Sequence, residues 1–228
     1  AVIHIDVDAS ELNKIRTVEC AIAADAGVTL RRLTAQVKGN NREQWQARLA
    51  QLRLEFPPVQ AGTGEPLHPV SIMRMVRQLI PSQSIVTTDV GQHQMWCAQS
   101  FDFYHPRTFL TSGGLGTMGF GLPAAIGAAL AARERRVVCF SGDGSLLMNI
   151  QELVTLAELD LDVTVFVFNN GHLGLVRQQQ ELFYARNYVA SRFDRTLDFA
   201  WIAQSFGVHG MRITQPGDIG PVFDNMRY

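Results

Sequence analysis

The chain has 228 residues and a mass of 25.3 kDa, with 46% hydrophobic and 18% charged residues, which is a globular composition. Its formal net charge of −1 gives no electrostatic basis for binding nucleic acid or an anionic membrane. The sequence has no run of the roughly 18 apolar residues that a bilayer-spanning helix needs. Three widely spaced cysteines, Cys20, Cys97 and Cys139, predict reduced thiols in a cytoplasmic protein.

The first part of the chain predicts a strand, a helix and a linker. Residues 1–8 predict a strand that begins without any preceding residues, so we expect a fragment of a longer, multidomain protein. Asn40 to Phe56 predicts an amphipathic helix, with Trp45 and Leu49 on its apolar stripe. Residues 57–66 are rich in Pro and Gly and predict a linker.

From about residue 68, strands and helices alternate to the end of the chain. Strands are predicted at residues 84–88, 107–111, 137–140, 163–168 and 208–213. Helices are predicted at residues 69–80, 92–100, 122–132, 150–157, 176–184 and 198–206, and from 218 onward. This alternation predicts an α/β fold with a doubly wound parallel sheet and helices on both faces.

The stretch from Val137 to Asn170 predicts a β-α-β unit in which each strand ends in polar residues. Gly142-Asp143-Gly144-Ser145 follows the first strand, and Asn169-Asn170 follows the second. Since both strands of a right-handed unit are parallel, Asp143 and Asn170 are expected at the same edge of the sheet, where such sheets bind ligands. One carboxylate and one amide oxygen suit an Mg²⁺ ion that holds a phosphate. An ordinary N-cap at Asp143 and a simple Asn-Gly turn are the alternatives.

Gly-Asp-Gly followed at this interval by Asn-Asn resembles the thiamin diphosphate signature of the acetolactate synthase and pyruvate oxidase superfamily. The resemblance implies that Asp143, Asn170 and the main-chain oxygen of His172 bind the metal ion on the cofactor diphosphate. Ser145 is expected to donate its hydroxyl or its amide to a phosphate oxygen. The other cofactor contacts expected around this signature are Gly142, Gly144, Leu173, Gly174 and Leu175.

Gly114 to Gly119 matches the dinucleotide-binding pattern G-x-G-x-x-G, but the strand before it is weak and the acidic residue is not where that pattern needs it. A nicotinamide-binding domain is therefore the weaker alternative. Acetolactate synthases have a nearly identical Thr-Ser-Gly-Gly-Leu-Gly-Thr-Met-Gly stretch. The resemblance implies that Met118 supports the bent cofactor and that Gly116 accepts a hydrogen bond from its 4′-amino group. Without that resemblance, core filling would be the more frequent role of a Met.

Two further segments resemble the same family. Gly91, Gln92 and His93 follow a strand and open a helix, whose first amides can face an anion. In similar enzymes this segment contacts the diphosphate. Residues 170–184 resemble acetolactate synthases specifically, and the isozyme I-like members most closely. Most members have Trp at the position of Gln179, so Gln179 is expected in the substrate pocket and the acceptor preference for 2-oxobutyrate is in doubt.

The resemblance covers the whole chain and implies a thiamin-diphosphate-dependent transferase of branched-chain amino-acid biosynthesis, which condenses two pyruvates to 2-acetolactate and CO₂. Residues 1–35 then correspond to the tail of the middle domain, residues 36–67 to a helix and linker, and residues 68–228 to a C-terminal cofactor-binding domain that stops before its last strand. The family's activating Glu belongs to the N-terminal domain of the partner subunit. No catalytic residue is therefore expected in this chain, which should be inactive alone.

The resemblance also implies partners and alternatives. The expected ligands are thiamin diphosphate, Mg²⁺, pyruvate and a second 2-oxo acid, whereas FAD, present in the full-length family, is not expected to bind fully here. A homodimer or tetramer through the thiamin-binding domains is expected, and a small regulatory subunit is left open. A sister enzyme (glyoxylate carboligase, sulfoacetaldehyde acetyltransferase or pyruvate oxidase) is one alternative. A cofactor-binding and association domain without its own activity is another.

Overall fold

The computed structural model describes residues 1–57 and 65–225, which separate into two compact units on either side of residue 55. Most of the predicted linker, residues 58–64, lies outside the described residues. The predicted boundaries at residues 35 and 67 stay predictions. In the described part of the chain, no helix has both the length and the apolar character that crossing a membrane requires.

The first unit contains two parallel strands, β1 (Ile3–Asp6) and β2 (Cys20–Ala23). Helix α1 (Ala26–Thr34) follows, and the Asp25 carboxylate caps its N-terminus by accepting a hydrogen bond from the Val28 N–H at 2.8 Å. β2 was not predicted, because its four residues give too short an apolar run. Helix α2 (Glu43–Glu55) forms within the predicted range but buries none of its residues.

The second unit is built on a four-stranded parallel sheet in the order β4-β3-β5-β6. Its strands are β3 (Ile85–Thr88), β4 (Phe109–Thr111), β5 (Val137–Gly142) and β6 (Val163–Phe168). Thr88 pairs with Phe140, and Gly142 pairs with Phe168. The carboxyl ends of β3, β5 and β6 therefore lie side by side at one edge of the sheet.

Helices connect and follow these strands. They are α3 (Pro69–Leu79), α4 (Gln92–Ser100), α5 (Gly121–Ala131), α6 (Asp143–Leu146), α7 (Glu152–Glu158), α8 (Gly174–Phe183), α9 (Phe199–Ser205) and α10 (Ile219–Asn225). Pro69 occupies the first turn of α3, where its missing N–H costs nothing. Short α6 follows directly on β5 and was not predicted, because the glycines around Asp143 gave no helical pattern.

The two faces of the sheet are covered by different helices. Val138 and Phe140 of β5 pack with α3, α4 and α10 in one core cluster. Val137 and Cys139, which point to the opposite face of the same strand, pack with α5. Leu156 of α7 lies in a third cluster with residues of α5 and β6. Helices on both faces of a parallel sheet confirm the predicted doubly wound α/β fold.

The strand predicted at residues 208–213 is wrong. The chain there turns back on α9: the Val208 N–H donates to the Ala203 carbonyl at 2.9 Å, and the Gly210 carbonyl accepts from the Gln204 side chain at 3.0 Å. Gly210 also lies so close to Ala200 that a Cβ at this position would overlap its carbonyl group. Hydrogen bonds and close packing against the preceding helix therefore replace the pairing that the alternating apolar residues predicted.

Candidate functional site

The carboxyl ends of β3, β5 and β6 open into one cavity. Most of the predicted site residues line it: Gly91, Gln92, His93, Met118, Gly142, Asp143, Gly144, Ser145, Asn170, His172, Leu173, Gly174 and Leu175. Apolar lining residues that were not predicted are Val90, Trp96, Phe168 and Val176. Val90 and Val176 are sequence neighbours of the predicted positions Gly91 and Leu175, whereas nothing in the sequence next to Trp96 or Phe168 marked them as site residues. Apolar walls around a few polar groups are usual in small-molecule sites.

Asp143 lies directly after β5, and its side chain is buried. Its Oδ1 accepts a hydrogen bond from the Gly144 N–H at 2.7 Å, and its Oδ2 accepts one from the Gly171 N–H at 2.7 Å. These bonds orient the carboxylate and join the end of β5 to the turn after β6. Since an ionised carboxylate has about four lone-pair sites, both oxygens can still bind a further partner.

The turn after β6 contains the other predicted metal ligands. The Asn170 Oδ1 accepts a hydrogen bond from the His172 N–H at 3.0 Å, and the His172 Nδ1 lies 2.7 Å from the Asn170 carbonyl oxygen. Gly171 between them has a φ of 69°, a left-handed conformation that glycine adopts without strain. The turn is therefore held by two hydrogen bonds between Asn170 and His172.

At two glycines that line the cavity, neighbouring side chains pack too closely to leave room for a Cβ. A Cβ on Gly144 would lie 2.5 Å from the Leu173 Cδ2. A Cβ on Gly174 would overlap the Gln92 Oε1 and would lie 2.9 Å from the Asn170 Nδ2. Any larger residue at either position would displace side chains that line the cavity.

The ring of His93 packs between two glycines, since a Cβ on Gly91 or Gly142 would lie 2.9 or 3.1 Å from its Cε1. The side chain is 4% exposed, and this desolvation lowers the pKa of His93 to about 4, although the Asp89 carboxylate acts in the opposite direction. The ring is therefore neutral near pH 7. Its Nε2 is buried without a hydrogen-bond partner among the described residues, and a ligand in the cavity would satisfy it.

Asp89, at the end of β3, has a structural role that was not predicted. Its carboxylate is 1% exposed, and its Oδ1 accepts hydrogen bonds from the Val90 and Gly119 N–H groups, each at 2.8 Å. Its Oδ2 accepts from the Gly121 N–H at 3.1 Å. Asp89 thereby fixes the loop that carries Met118. The available signal was an Asp between a buried strand and a glycine, the same pattern that identified Asp143.

Two polar side chains join the elements around the cavity. The Ser145 hydroxyl donates to the Val90 carbonyl at 2.8 Å, which leaves the Ser145 amide as the group for the predicted phosphate contact. The Gln92 Nε2 donates to the Gln178 Oε1 at 2.9 Å and so joins α4 to α8. Each of these bonds therefore connects two separate segments that border the cavity.

Two predicted site residues are not among those that line the cavity. Gly116 is exposed and has a φ of 64°, in the loop that leads to Met118. Gln179 is exposed on α8, whereas Val176, one turn earlier, lines the cavity. The cofactor contact of Gly116 and the substrate contact of Gln179 therefore stay predictions.

The oxygen donors fit a hard cation that is shared with a diphosphate. Among residues 1–57 and 65–225, no group of three His, Cys, Asp or Glu side chains could hold a metal ion. A metal ion at this edge would therefore rely on the Asp143 carboxylate, the Asn170 amide oxygen, a backbone carbonyl and ligand oxygens. Mg²⁺ usually combines one or two carboxylates with substrate phosphates. These donors border the cavity that Gly142, Gly144 and Gly174 also line.

Comparison with known proteins gives one family. A model of the C-terminal TPP binding domain of thiamine pyrophosphate enzymes matches residues 89–227. The chain is 46% identical to the acetolactate synthase isozyme 1 large subunit of Escherichia coli (strain K12) over 217 aligned residues. The alignment covers 95% of this chain and 39% of that protein. It is 40% identical over 226 residues to the isozyme 2 large subunit of the same organism, covering 99% of this chain and 41% of that protein.

A third relative comes from another organism. The acetolactate synthase large subunit of Parasynechococcus marenigrum (strain WH8102) is 43% identical over 218 residues, which cover 93% of this chain and 35% of that protein. The chain thus spans 39% and 41% of the length of the two Escherichia coli relatives.

Proposed function

Since this chain belongs to the thiamine pyrophosphate enzymes, as their C-terminal TPP binding domain, we propose that it is the corresponding part of an acetolactate synthase catalytic subunit. The proposed reaction condenses two pyruvates to 2-acetolactate and CO₂. The observation that carries the proposal is the hydrogen bond from the Gly171 N–H to the Asp143 Oδ2, which joins the two halves of the cofactor signature at one cavity. The identity of 46% to an acetolactate synthase large subunit supports the reaction type.

In this proposal, Asp143, Asn170 and the His172 carbonyl hold Mg²⁺ together with the diphosphate oxygens. Bound thiamin diphosphate supplies a nucleophilic carbon and an electron sink for decarboxylation, which protein side chains lack. The metal site neutralises diphosphate charge and orients the ligand, and it does not activate water. The hydrogen bonds from Gly144 and Gly171 to Asp143 fix the carboxylate before the ligand arrives, so little ordering is left for the binding step.

Other side chains shape the cavity. Met118, Trp96 and Phe168 line it with apolar surface, which excludes water from the reacting atoms. Gly91 and Gly142 lack the Cβ atoms that would collide with the ring of His93, so the ring fits between them. The neutral ring presents its free Nε2 to the ligand. The proposal also keeps the cofactor contact of Gly116 and the substrate contact of Gln179, and both residues are exposed.

The remaining assignments concern the whole protein. We propose that the activating carboxylate comes from an N-terminal domain of a partner subunit, so that this chain alone is inactive. The proposed enzyme associates through its thiamin-binding domains. It also includes a small regulatory subunit and FAD, which is bound mainly by a middle domain. The buried free thiols of Cys97 and Cys139 support a cytoplasmic location.

Product analysis tests the proposed reaction. The full-length protein that contains this chain is incubated in air with pyruvate, thiamin diphosphate, Mg²⁺, FAD and inorganic phosphate. We expect 2-acetolactate and CO₂ in equal amounts. Acetyl phosphate, or no product from pyruvate alone, would contradict the proposal and favour a sister thiamin enzyme.

A further inference from the structure

The ring of His172 lies between two partners. Its Nδ1 is 2.7 Å from the carbonyl oxygen of Asn170, and its Nε2 is 2.6 Å from the NH1 of Arg177 on α8. The bond between His172 and Arg177 is partly buried and so partly shielded from water, whereas the bond between His172 and Asn170 is exposed. Arg177 was not predicted to belong to the site and does not line the cavity.

The two partners require the same form of the ring. An arginine guanidinium can only donate, so the Nε2 of His172 must accept and carries no proton. A carbonyl oxygen can only accept, so the Nδ1 must carry the proton and donate to Asn170. Arg177 therefore favours the one neutral tautomer of His172 that can hold the Asn170 backbone.

Arg177 is itself held in place by a later segment. Its guanidinium carbon lies 4.6 Å from the centre of the Tyr188 ring, which is a cation–π contact. The segment after Tyr188 also pairs with the turn, since the Leu173 N–H donates to the Ser191 carbonyl at 2.9 Å. The Tyr188 ring thus orients the guanidinium, and the bond between Leu173 and Ser191 holds the segment that carries Tyr188 next to the turn.

We propose that Arg177 is a positioning residue for the metal-binding turn and acts through the tautomer of His172. The Nδ1–H donor fixes the peptide between Asn170 and Gly171, which orients both the Asn170 amide and the His172 carbonyl. This inference rests on the proposed function, because it assumes that these two oxygens bind the metal ion. Partners that orient metal ligands commonly change metal affinity by about 10–100-fold when they are removed.

The first test reads the tautomer directly in the chain without ligands. Nitrogen NMR on isotope-labelled histidine distinguishes Nδ1–H from Nε2–H rings, at about pH 8 where ordinary histidines are neutral. We expect His172 to be the Nδ1–H form in the wild type and a mixture of both forms in Arg177→Met. An unchanged His172 spectrum in a folded Arg177→Met variant would overturn the proposal.

The second test measures Mn²⁺ affinity in the presence of thiamin diphosphate, by electron paramagnetic resonance. We expect Arg177→Met to weaken Mn²⁺ binding about tenfold. In a His172→Ala background the same substitution should have no further effect on Mn²⁺ affinity, because Arg177 acts through His172; this comparison is a double-mutant cycle. The control is Arg186→Met, which removes the same charge from a side chain that is 75% exposed and should leave the affinity unchanged.

The outcomes separate the two proposals. If the folded wild type does not bind Mn²⁺ with thiamin diphosphate, the proposed metal site fails. If the wild type binds and Arg177→Met binds equally well, the metal site stands and the positioning role of Arg177 fails. An equal loss in Arg186→Met would mean that general charge, and not the bond to His172, is responsible. Arg177→Lys, which keeps a donor and the charge, should retain more affinity than Arg177→Met.

Discussion

The Oδ2 of Asp143 accepts a hydrogen bond from the backbone N–H of Gly171 at 2.7 Å. The bond joins two loops because β5 and β6 are parallel neighbours with Gly142 opposite Phe168, so the residues after each strand meet at one edge. Asp143 and Gly171 are 28 residues apart in the sequence, and the fold brings the oxygen donors next to them into one oriented set. We regard this bond as the structural basis of the proposed cofactor site.

Asp89 should contribute more to the free energy of unfolding than a surface carboxylate does. Asp89→Asn replaces one buried acceptor oxygen by an amide donor opposite a backbone N–H, so we expect the free energy of unfolding to fall by about 2–3 kcal/mol. Urea denaturation measures the change. The control is Asp102→Asn on the surface, expected to change stability by less than about 0.5 kcal/mol. Equal unfolding midpoints for both variants would contradict the role assigned to Asp89.

Gly174 should be required for ligand binding and not for the helix. Gly174→Ala places a Cβ on the Gln92 Oε1 and close to the Asn170 Nδ2, so we expect thiamin diphosphate affinity to fall about tenfold or more. The matched control is Gly127→Ala in α5, where a Cβ meets no atom within 4 Å. It should raise stability by up to about 1 kcal/mol through helix propensity and leave affinity unchanged. Equal affinities for the two variants would count against the packing described around Gly174.

His93 should make stability depend on pH. Its pKa is about 4 in the folded chain, below the ordinary value of 6.5, so the unfolded chain binds more protons between these values. The stability that this neutral ring contributes is complete above about pH 6.5 and is lost as the pH falls toward 4, by about 3 kcal/mol. We expect His93→Gln to flatten the stability profile in this window, as measured by urea denaturation at several pH values. The same profile in His93→Gln as in the wild type would refute the assignment, and exposed His209→Gln is the control.

The sequence predicted the sheet edge because its signals are local. Glycines around Asp143 and Asn170 follow long apolar runs, and the parallel β-α-β rule then brings the two strand ends together. The role of Asp89 was missed because its partners are 30 and 32 residues away: Gly119 lies in a loop without periodicity, and Gly121 is the first residue of α5. That pairing depends on where α5 packs, which a single sequence does not specify.

Other features depend on tertiary contacts for the same reason. The apolar alternation at residues 208–213 predicts a strand, but the close packing of Gly210 on Ala200 decides the backbone there. Arg177 looks like a solvated helix residue in the sequence, and only the position of His172 and Tyr188 reveals its contacts. Propensity and pattern are therefore reliable for buried strands and weaker for the loops that complete the site.

The most direct test of the metal–cofactor site is a calorimetric titration of this chain with thiamin diphosphate, with and without Mg²⁺. The wild type, Asp143→Ala and the surface control Asp102→Ala are compared. We expect binding by the wild type and the control only when Mg²⁺ is present, and no measurable binding by Asp143→Ala. Equal affinity in Asp143→Ala, or no binding by a folded wild type with Mg²⁺, would contradict the assignment of this site to the chain.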